Sequence, residues 1–276
     1  MTKALNTEQI ENFRRDGFLA PVAVFGEDEA AKARGKLEAA EETWPGSLAA
    51  ANRNNGHLVY GFLDALAHDP RLLDVIEDLI GPDFLATTSV LFIKEPQHEG
   101  FISWHQDGTY MGLEPDDGVT AWIALTESNL ENGCMAMIPS SHTGGIRPHH
   151  DRFRDNNLLT RGQEIEGVDK GCAEPLILKP GEVSFHHSRT IHGSQPNRST
   201  DRRIGFAVQS FVRPEVRQVK AEGFAQHGRG RTDRSTMTLL PRAQADMAPD
   251  DVARRDRVNA VLADILYDGA ERRRNY

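Results

Sequence analysis

Only two cysteines, Cys134 and Cys172, occur among the 276 residues. They lie far apart and form no CxxC or other zinc-type spacing, so neither a disulfide framework nor a cysteine-built metal site is expected. No stretch approaches the roughly 20 consecutive apolar residues of a membrane-spanning helix. The opening MTKALNTEQIENFRRDGFLA holds no apolar run of the signal-peptide kind. Positive charge is also short. Lys and Arg number 32 against 41 Asp and Glu, a formal charge of −9, which argues against a general affinity for nucleic acid or anionic membrane. The basic cluster HGRGRTDR, His227 to Arg234, reads as a solvated loop. These absences predict a cytoplasmic protein with reduced thiols and neither a nucleic-acid nor a membrane partner. Internal repeats and low-complexity linkers are missing too, so a single domain over 1–276 is expected.

What is present has ordinary globular composition, 38% hydrophobic and 26% charged, and enough length to bury a core unaided. Thr7 reads as the N-cap of a helix over TEQIENFRRD that Gly17 stops. FLAPVAVF reads as a strand and EDEAAKARGKLEAAEETW as a helix. Pro70 to Gly81 opens on Pro and closes on Gly, with an apolar stripe of Leu72, Leu73, Ile76, Leu79 and Ile80. From residue 84 the texture changes to short β-prone runs bounded by Gly, Pro, Asn and Ser: FLATTSVLFIKEP, GVTAWIALTES, CMAMIPSS, AEPLILKPGEVSFHHS and RRIGFAVQSFV. The ENG before CMAMIP is a hairpin signal. Helical spacing returns through Val252, Val258, Val261, Leu262 and Ile265. The order predicts a mainly β protein with flanking helices: a helical part over about 1–82, a barrel or jelly-roll core over about 84–215, and a C-terminal loop and helix over about 216–276.

Within that core, ISWHQDGTYMGL places His105 and Asp107 one residue apart. On an extended strand, side chains at i and i+2 share a face, so an imidazole and a carboxylate aim together into the barrel. They form two thirds of the 2-His-1-carboxylate set that holds non-haem Fe(II) and leaves positions open. SFHHSRTIHGS offers His186, His187 and His192 for the third place. His192 is the best placed, and the other two read as strand-end histidines bonded to backbone or water. Arg202 and Arg203 open the next strand. An Arg buried at a barrel mouth needs an anion, and a guanidinium fork suits a dicarboxylate; a surface salt bridge is the other outcome.

The ordered set His105-x-Asp107, TAWIALTESNLENGCMAMIPSSH and PGEVSFHHSRTIHGSQPNRS…RR resembles the phytanoyl-CoA dioxygenase family, from TEQIENFRRDGFL to about residue 215. The resemblance implies a double-stranded β-helix of the jelly-roll, cupin-like kind. It implies an oxygenase that uses Fe(II), 2-oxoglutarate and O2 to hydroxylate a C–H bond, with succinate and CO2 as coproducts. His105, Asp107 and His192 become the implied iron ligands. Arg203 becomes the clamp on the far carboxylate of 2-oxoglutarate, with Trp122, Lys94 and Thr109 in the same pocket. Related halogenases carry a small residue where this chain has Asp107, so hydroxylation is implied over halogenation.

The substrate is less determined. No Lys/Arg cluster with a matching apolar groove marks an acyl-CoA site. The rim is expected to draw on Asn52–Gly61, Gly108–Asp117 and Ser140–His150, supplying His57, Asn54, Tyr110 and Arg147, with Arg189 beside them. That polar set points to a small polar substrate: an amino acid, an aminoalkylphosphonate or a secondary-metabolite intermediate. The 151–171 loop is the expected lid. The alternative is a non-catalytic jelly-roll binding protein with a structural metal, in which His186 or His187 closes a zinc site.

Overall fold

The computed structural model describes residues 4–273. Helix α1 (Thr7–Asp16) is capped by Asn6 rather than Thr7. The Asn6 side chain accepts from the Gln9 amide while the Gln9 side chain accepts from the Asn6 amide, a reciprocal pair that satisfies two otherwise unpaired donors. Gly17 ends the helix in the left-handed conformation at φ 83°. Helices α2 (Glu27–Thr43), α3 (Gly61–Ala67) and α4 (Pro70–Ile80) follow. In α4, Asp69 caps and Pro70 occupies the first turn; Leu72, Leu73, Val75 and Ile76 are buried, whereas Leu79 and Ile80 are only partly so.

The strands of the two main sheets are β1 (Phe18–Ala23), β2 (Phe84–Lys94), β3 (Ile102–His105), β4 (Val119–Ala124), β5 (Met135–Met137), β6 (Glu174–Pro175), β7 (Glu182–His187), β8 (His192–Ser194), β9 (Arg203–Val212), β10 (Phe224–Arg229) and β11 (Thr238–Leu239). A seven-stranded sheet runs β1-β7-β4-β9-β2-β10-β11 and a four-stranded sheet runs β3-β8-β5-β6. The larger sheet thus reaches outside the 84–215 stretch at both ends. The ENG turn does not make a β4–β5 hairpin, because β5 pairs with β8 and β6 in the other sheet. Asn132 folds the connection back instead, donating to the Glu127 carbonyl at 2.9 Å and accepting from the Asn129 amide at 2.8 Å.

Period-two alternation divides the larger sheet. Ile204, Phe206 and Val208 of β9, Val119, Ala121 and Ile123 of β4, and Val183 and Phe185 of β7 pack against Ile10, Phe13, Leu37, Leu72 and Ile76 of the helices. Trp122, Ala124 and Ala207 of the opposite face meet Met135 and Met137 of the smaller sheet. The two sheets therefore close on each other as a jelly roll, helices bracing one side. Gly205 sits on the inner face, where a Cβ would lie 1.8 Å from the Trp122 ring. Gly205→Ala is expected to displace the indole and destabilise the fold by about 1–3 kcal/mol, read as a lower denaturant midpoint; an unchanged midpoint would show that the indole moves freely.

Two of the loops are more structured than their sequences suggest. The His227–Arg234 stretch begins inside β10, and Arg229 pairs with Asp74 at 2.7 Å and Glu77 at 2.6 Å. The 151–171 stretch is tied down: His150–Asp151 pairs with Gln163–Glu164, Ile165 donates to the Trp104 carbonyl at 2.8 Å, and Arg161 holds Asp151 and the Asp268 carbonyl. No helix among the described residues is long and apolar enough to cross a membrane. Helix α5 (Pro249–Leu266) carries the C-terminal apolar stripe.

Candidate active site

Strands β3 and β8 are antiparallel neighbours that set His105 opposite His192, with ring centroids 4.2 Å apart. Each ring bonds a backbone carbonyl two residues earlier: His105 Nδ1 to Ser103 O and His192 Nδ1 to Thr190 O, both 2.9 Å. Because the partner is a carbonyl, Nδ1 carries the proton and Nε2 keeps its lone pair, as a metal ligand requires. Burial, with His105 beside it, pushes His192 down to about 3, so this imidazole is neutral.

Asp107 reaches the same point by a different route from the extended one expected. Strand β3 stops at His105, and Asp107 has helical backbone angles, φ −56° and ψ −42°, at the head of a single helical turn over Gly108–Met111. The bend is held by Gln106 N–H donating to His149 Nε2 and by Gly108 N–H donating to the Ser188 carbonyl, each at 3.0 Å. Asp107 Oδ1 then lies 3.4 Å from His105 Nε2 and 3.7 Å from His192 Nε2. Burial works against the carboxylate, but His192, His105 and His186 around it hold its pKa well below the usual range. Two imidazole nitrogens and one carboxylate oxygen, all within 4.8 Å of one another, fit the donor set of a non-haem Fe(II) site.

His186, expected at a strand end against backbone or water, is instead buried beside this group. Its Nε2 lies 3.2 Å from Asp107 Oδ2, and Thr120 donates to the same oxygen at 3.1 Å. These two contacts occupy Oδ2 and leave Oδ1 facing the histidines. His187 matches its expectation, with Nδ1 accepting from the Arg189 amide at 3.1 Å. Alternation explains the difference, since Ser184 and His186 share the inner face. We expect His186→Phe to weaken Fe(II) or Co(II) binding about 10- to 100-fold, and His186→Gln to retain most of it. Equal metal affinity in both variants would show that the contact does not position Asp107.

Arg203 and Trp122 line the same cavity as the three ligands, a space of about 370 Å³. Arg203 is 1% exposed, donates to Gly133 O at 3.1 Å and lies 5.2 Å above the Trp122 ring. Burial draws it down to about 10. Its Nε has no protein partner, and no carboxylate among the described residues pairs with it. Arg202 points outward and is held by Glu41 at 2.8 Å and Glu95 at 3.0 Å. Lys94 pairs in register with Arg203; its Nζ donates to Ser194 Oγ at 2.7 Å, to Gly133 O at 3.3 Å and to Gln195 O. Burial and Arg203 push Lys94 down to about 6. Lys94 thus stands behind Arg203 and is not among the residues lining the cavity.

Other expected residues lie elsewhere. Thr109 faces His149 at 3.2 Å. Tyr110 is held between the His149 ring at 5.7 Å and Arg161 at 4.8 Å. His57 is buried against Ser89 at 2.6 Å, and burial pushes it down to about 3. Asn54 forms a bridge with Val90, Arg147 is exposed and reaches the Glu166 carbonyl at 3.0 Å, and Arg189 is half-buried. None of these lines the metal cavity, so the polar rim is not assembled there. The cavity instead uses Phe92, Thr120, His186, Ser194 and Gln209. Thr120 and Gln209 share strand parity with Trp122 and Arg203, and Ser194 stands two after His192; that parity was the available signal.

The sequence profile of the phytanoyl-CoA dioxygenase (PhyH) family matches residues 13–205. A probable alpha-ketoglutarate-dependent hypophosphite dioxygenase of Stutzerimonas stutzeri is 32% identical over 160 residues, 56% of each chain. The matches span about half the length of the first curated relatives. Among solved structures, the apo form of the non-heme monooxygenase ThoJ is 30% identical, with a TM-score of 0.80 over 92% of this chain and 98% of that one. Its nickel complex gives 27% and 0.78 over 94% and 98%. With the jelly roll, the two histidines and the carboxylate in their expected order, this match shows that the chain belongs to the phytanoyl-CoA dioxygenase family of Fe(II)- and 2-oxoglutarate-dependent oxygenases.

Proposed function

We propose that the protein is an Fe(II)- and 2-oxoglutarate-dependent oxygenase that hydroxylates a C–H bond of a small molecule, the whole chain acting as one domain. The observation that carries this reading is the pairing, in one cavity, of a metal-ligand triad with a fully buried arginine that no carboxylate among the described residues neutralises. A buried charge without a partner is costly, so the anion belongs to a ligand. Because Arg203 and the triad line the same cavity, a dicarboxylate such as 2-oxoglutarate bound there would meet both the guanidinium and the metal-binding side chains.

In this reading His105, His192 and Asp107 Oδ1 would hold the metal. Arg203 orients the cosubstrate, Trp122 walls it, and Lys94 braces the carbonyl of Gly133 to which Arg203 also donates. Fe(II), when bound, supplies the oxidising chemistry with O2, and 2-oxoglutarate leaves as succinate and CO2. Retention of Asp107 fills the place that a halide would need, which supports hydroxylation.

The test is succinate formation from 2-oxoglutarate by the anaerobically iron-loaded protein once oxygen is admitted. Succinate that depends on both iron and oxygen is expected. Its absence with iron demonstrably bound would favour a jelly-roll binding protein with a structural metal.

A further inference from the structure

A second cavity, which with its opening to solvent spans about 430 Å³, is lined mainly by apolar side chains, among them Met111, Leu113, Phe224, Met237 and Leu262. Two links place it beside the first. Thr88, on its wall, is the β2 partner of Gln209 on β9, which lines the metal cavity, and cross-strand partners project to one side of a sheet. Met111, also on its wall, ends the helical turn that Asp107 begins. Phe224 and the face of α5 that carries Val261, Leu262 and Ile265 also line it.

The polar groups on this wall are already paired within the protein. Asn55 Oδ1 accepts from Thr88 Oγ1 at 2.7 Å, and Asn55 Nδ2 donates to Asn259 at 2.8 Å. Thr87 donates to the Gln209 and Ser210 carbonyls, both at 3.0 Å. Gln218 donates to the Met111 carbonyl at 2.8 Å and accepts from the Lys220 amide at 2.9 Å. Glu222 accepts from Arg257 at 2.8 Å and from Thr238 at 3.2 Å. The metal cavity is the opposite, since Arg203 Nε and His186 Nδ1 are buried there without a protein partner. Glu222 stays exposed at the rim, and the amides and hydroxyls deeper in are engaged with the protein, so a charged or zwitterionic group moved into the second cavity recovers little of its lost hydration, whereas apolar surface gains from leaving water.

We propose that this second cavity is the substrate site, and that it takes the uncharged, apolar body of a small molecule whose reacting C–H bond extends toward the metal. The proposal rests on the oxygenase reading, and it replaces the zwitterionic amino acid or phosphonate expected from the sequence. The α5 wall lies outside the 13–205 family match, so membership of the family does not dictate it.

The experiment titrates the full chain, loaded with Fe(II) and 2-oxoglutarate without oxygen, with the neutral dye N-phenyl-1-naphthylamine. A saturable fluorescence rise near one equivalent is expected, weakened about tenfold or more in Leu262→Trp and in Met111→Trp, which fill the cavity from two different elements. Millimolar leucine or 2-aminoethylphosphonate should not displace the dye. Folding of both variants is checked by circular dichroism. If neither folds, amide hydrogen exchange of wild-type α5 decides, with protection on dye binding expected. A dye that does not bind, binds equally in the folded variants, leaves α5 exchange unchanged or is displaced by either zwitterion overturns the proposal. Succinate formation by the wild type after oxygen is admitted judges the oxygenase reading separately.

Discussion

Asp107→Ala is expected to form no succinate under conditions where the wild type does, and to bind Fe(II) more weakly by about 100-fold or more. The substitution removes the only anionic donor of the three, leaving two neutral imidazoles to hold a dication. It also strands two donors at once, since Thr120 and His186 both reach Asp107 Oδ2 at 3.1 and 3.2 Å. The measurement pairs metal titration with succinate analysis on protein shown to be folded. Unchanged turnover would remove Asp107 from the ligand set.

Arg203→Leu separates ligand binding from stability. Truncating one partner of a buried charge pair typically costs about 2–5 kcal/mol, which here means a KM for 2-oxoglutarate higher by at least about 30-fold. Stability should move the other way. Without a bound anion the wild-type guanidinium is buried beside Lys94 and no carboxylate of the described residues offsets it. Replacing such a charge by an apolar side chain is often neutral or stabilising, so Tm in the absence of 2-oxoglutarate should hold or rise. A variant with unchanged KM would mean that the cosubstrate is clamped elsewhere. A variant with lower Tm would mean that Arg203 stabilises the empty fold through Gly133 and Trp122.

The residues that share a short spacing or a strand parity were legible before the fold was known. His105 and Asp107 stand one apart, His192 opens the next strand of the same sheet, and Arg203 begins β9. What stayed hidden depended on partners distant in sequence. The turn at Asp107 is made by His149 and Ser188, 42 and 81 positions further on (149 − 107; 188 − 107). The ENG turn marks a change of sheet, and a local hairpin signal carries no information about which sheet the next strand joins. Loop residues such as His57 and Arg147 lie in chemically suitable segments, yet His57 is consumed by Ser89 and Arg147 by a carbonyl. The α5 stripe was visible as helical spacing, but that spacing does not distinguish a wall packed against protein from one that borders a cavity.

Arg202 and Arg203 are the same residue type in adjacent positions, one held outside by Glu41 and Glu95 and the other buried under Trp122. Nothing in their chemistry tells them apart; only the odd or even count along β9 does. A single-residue insertion or deletion that slips this strand would exchange their places, carrying Gly205 out from under the indole and Ile204 into its space. The strand is therefore more sensitive to a change of length than to a volume-conserving exchange within its buried helix-facing side, and a descendant sequence that gained or lost one residue here would keep its composition and lose its cosubstrate.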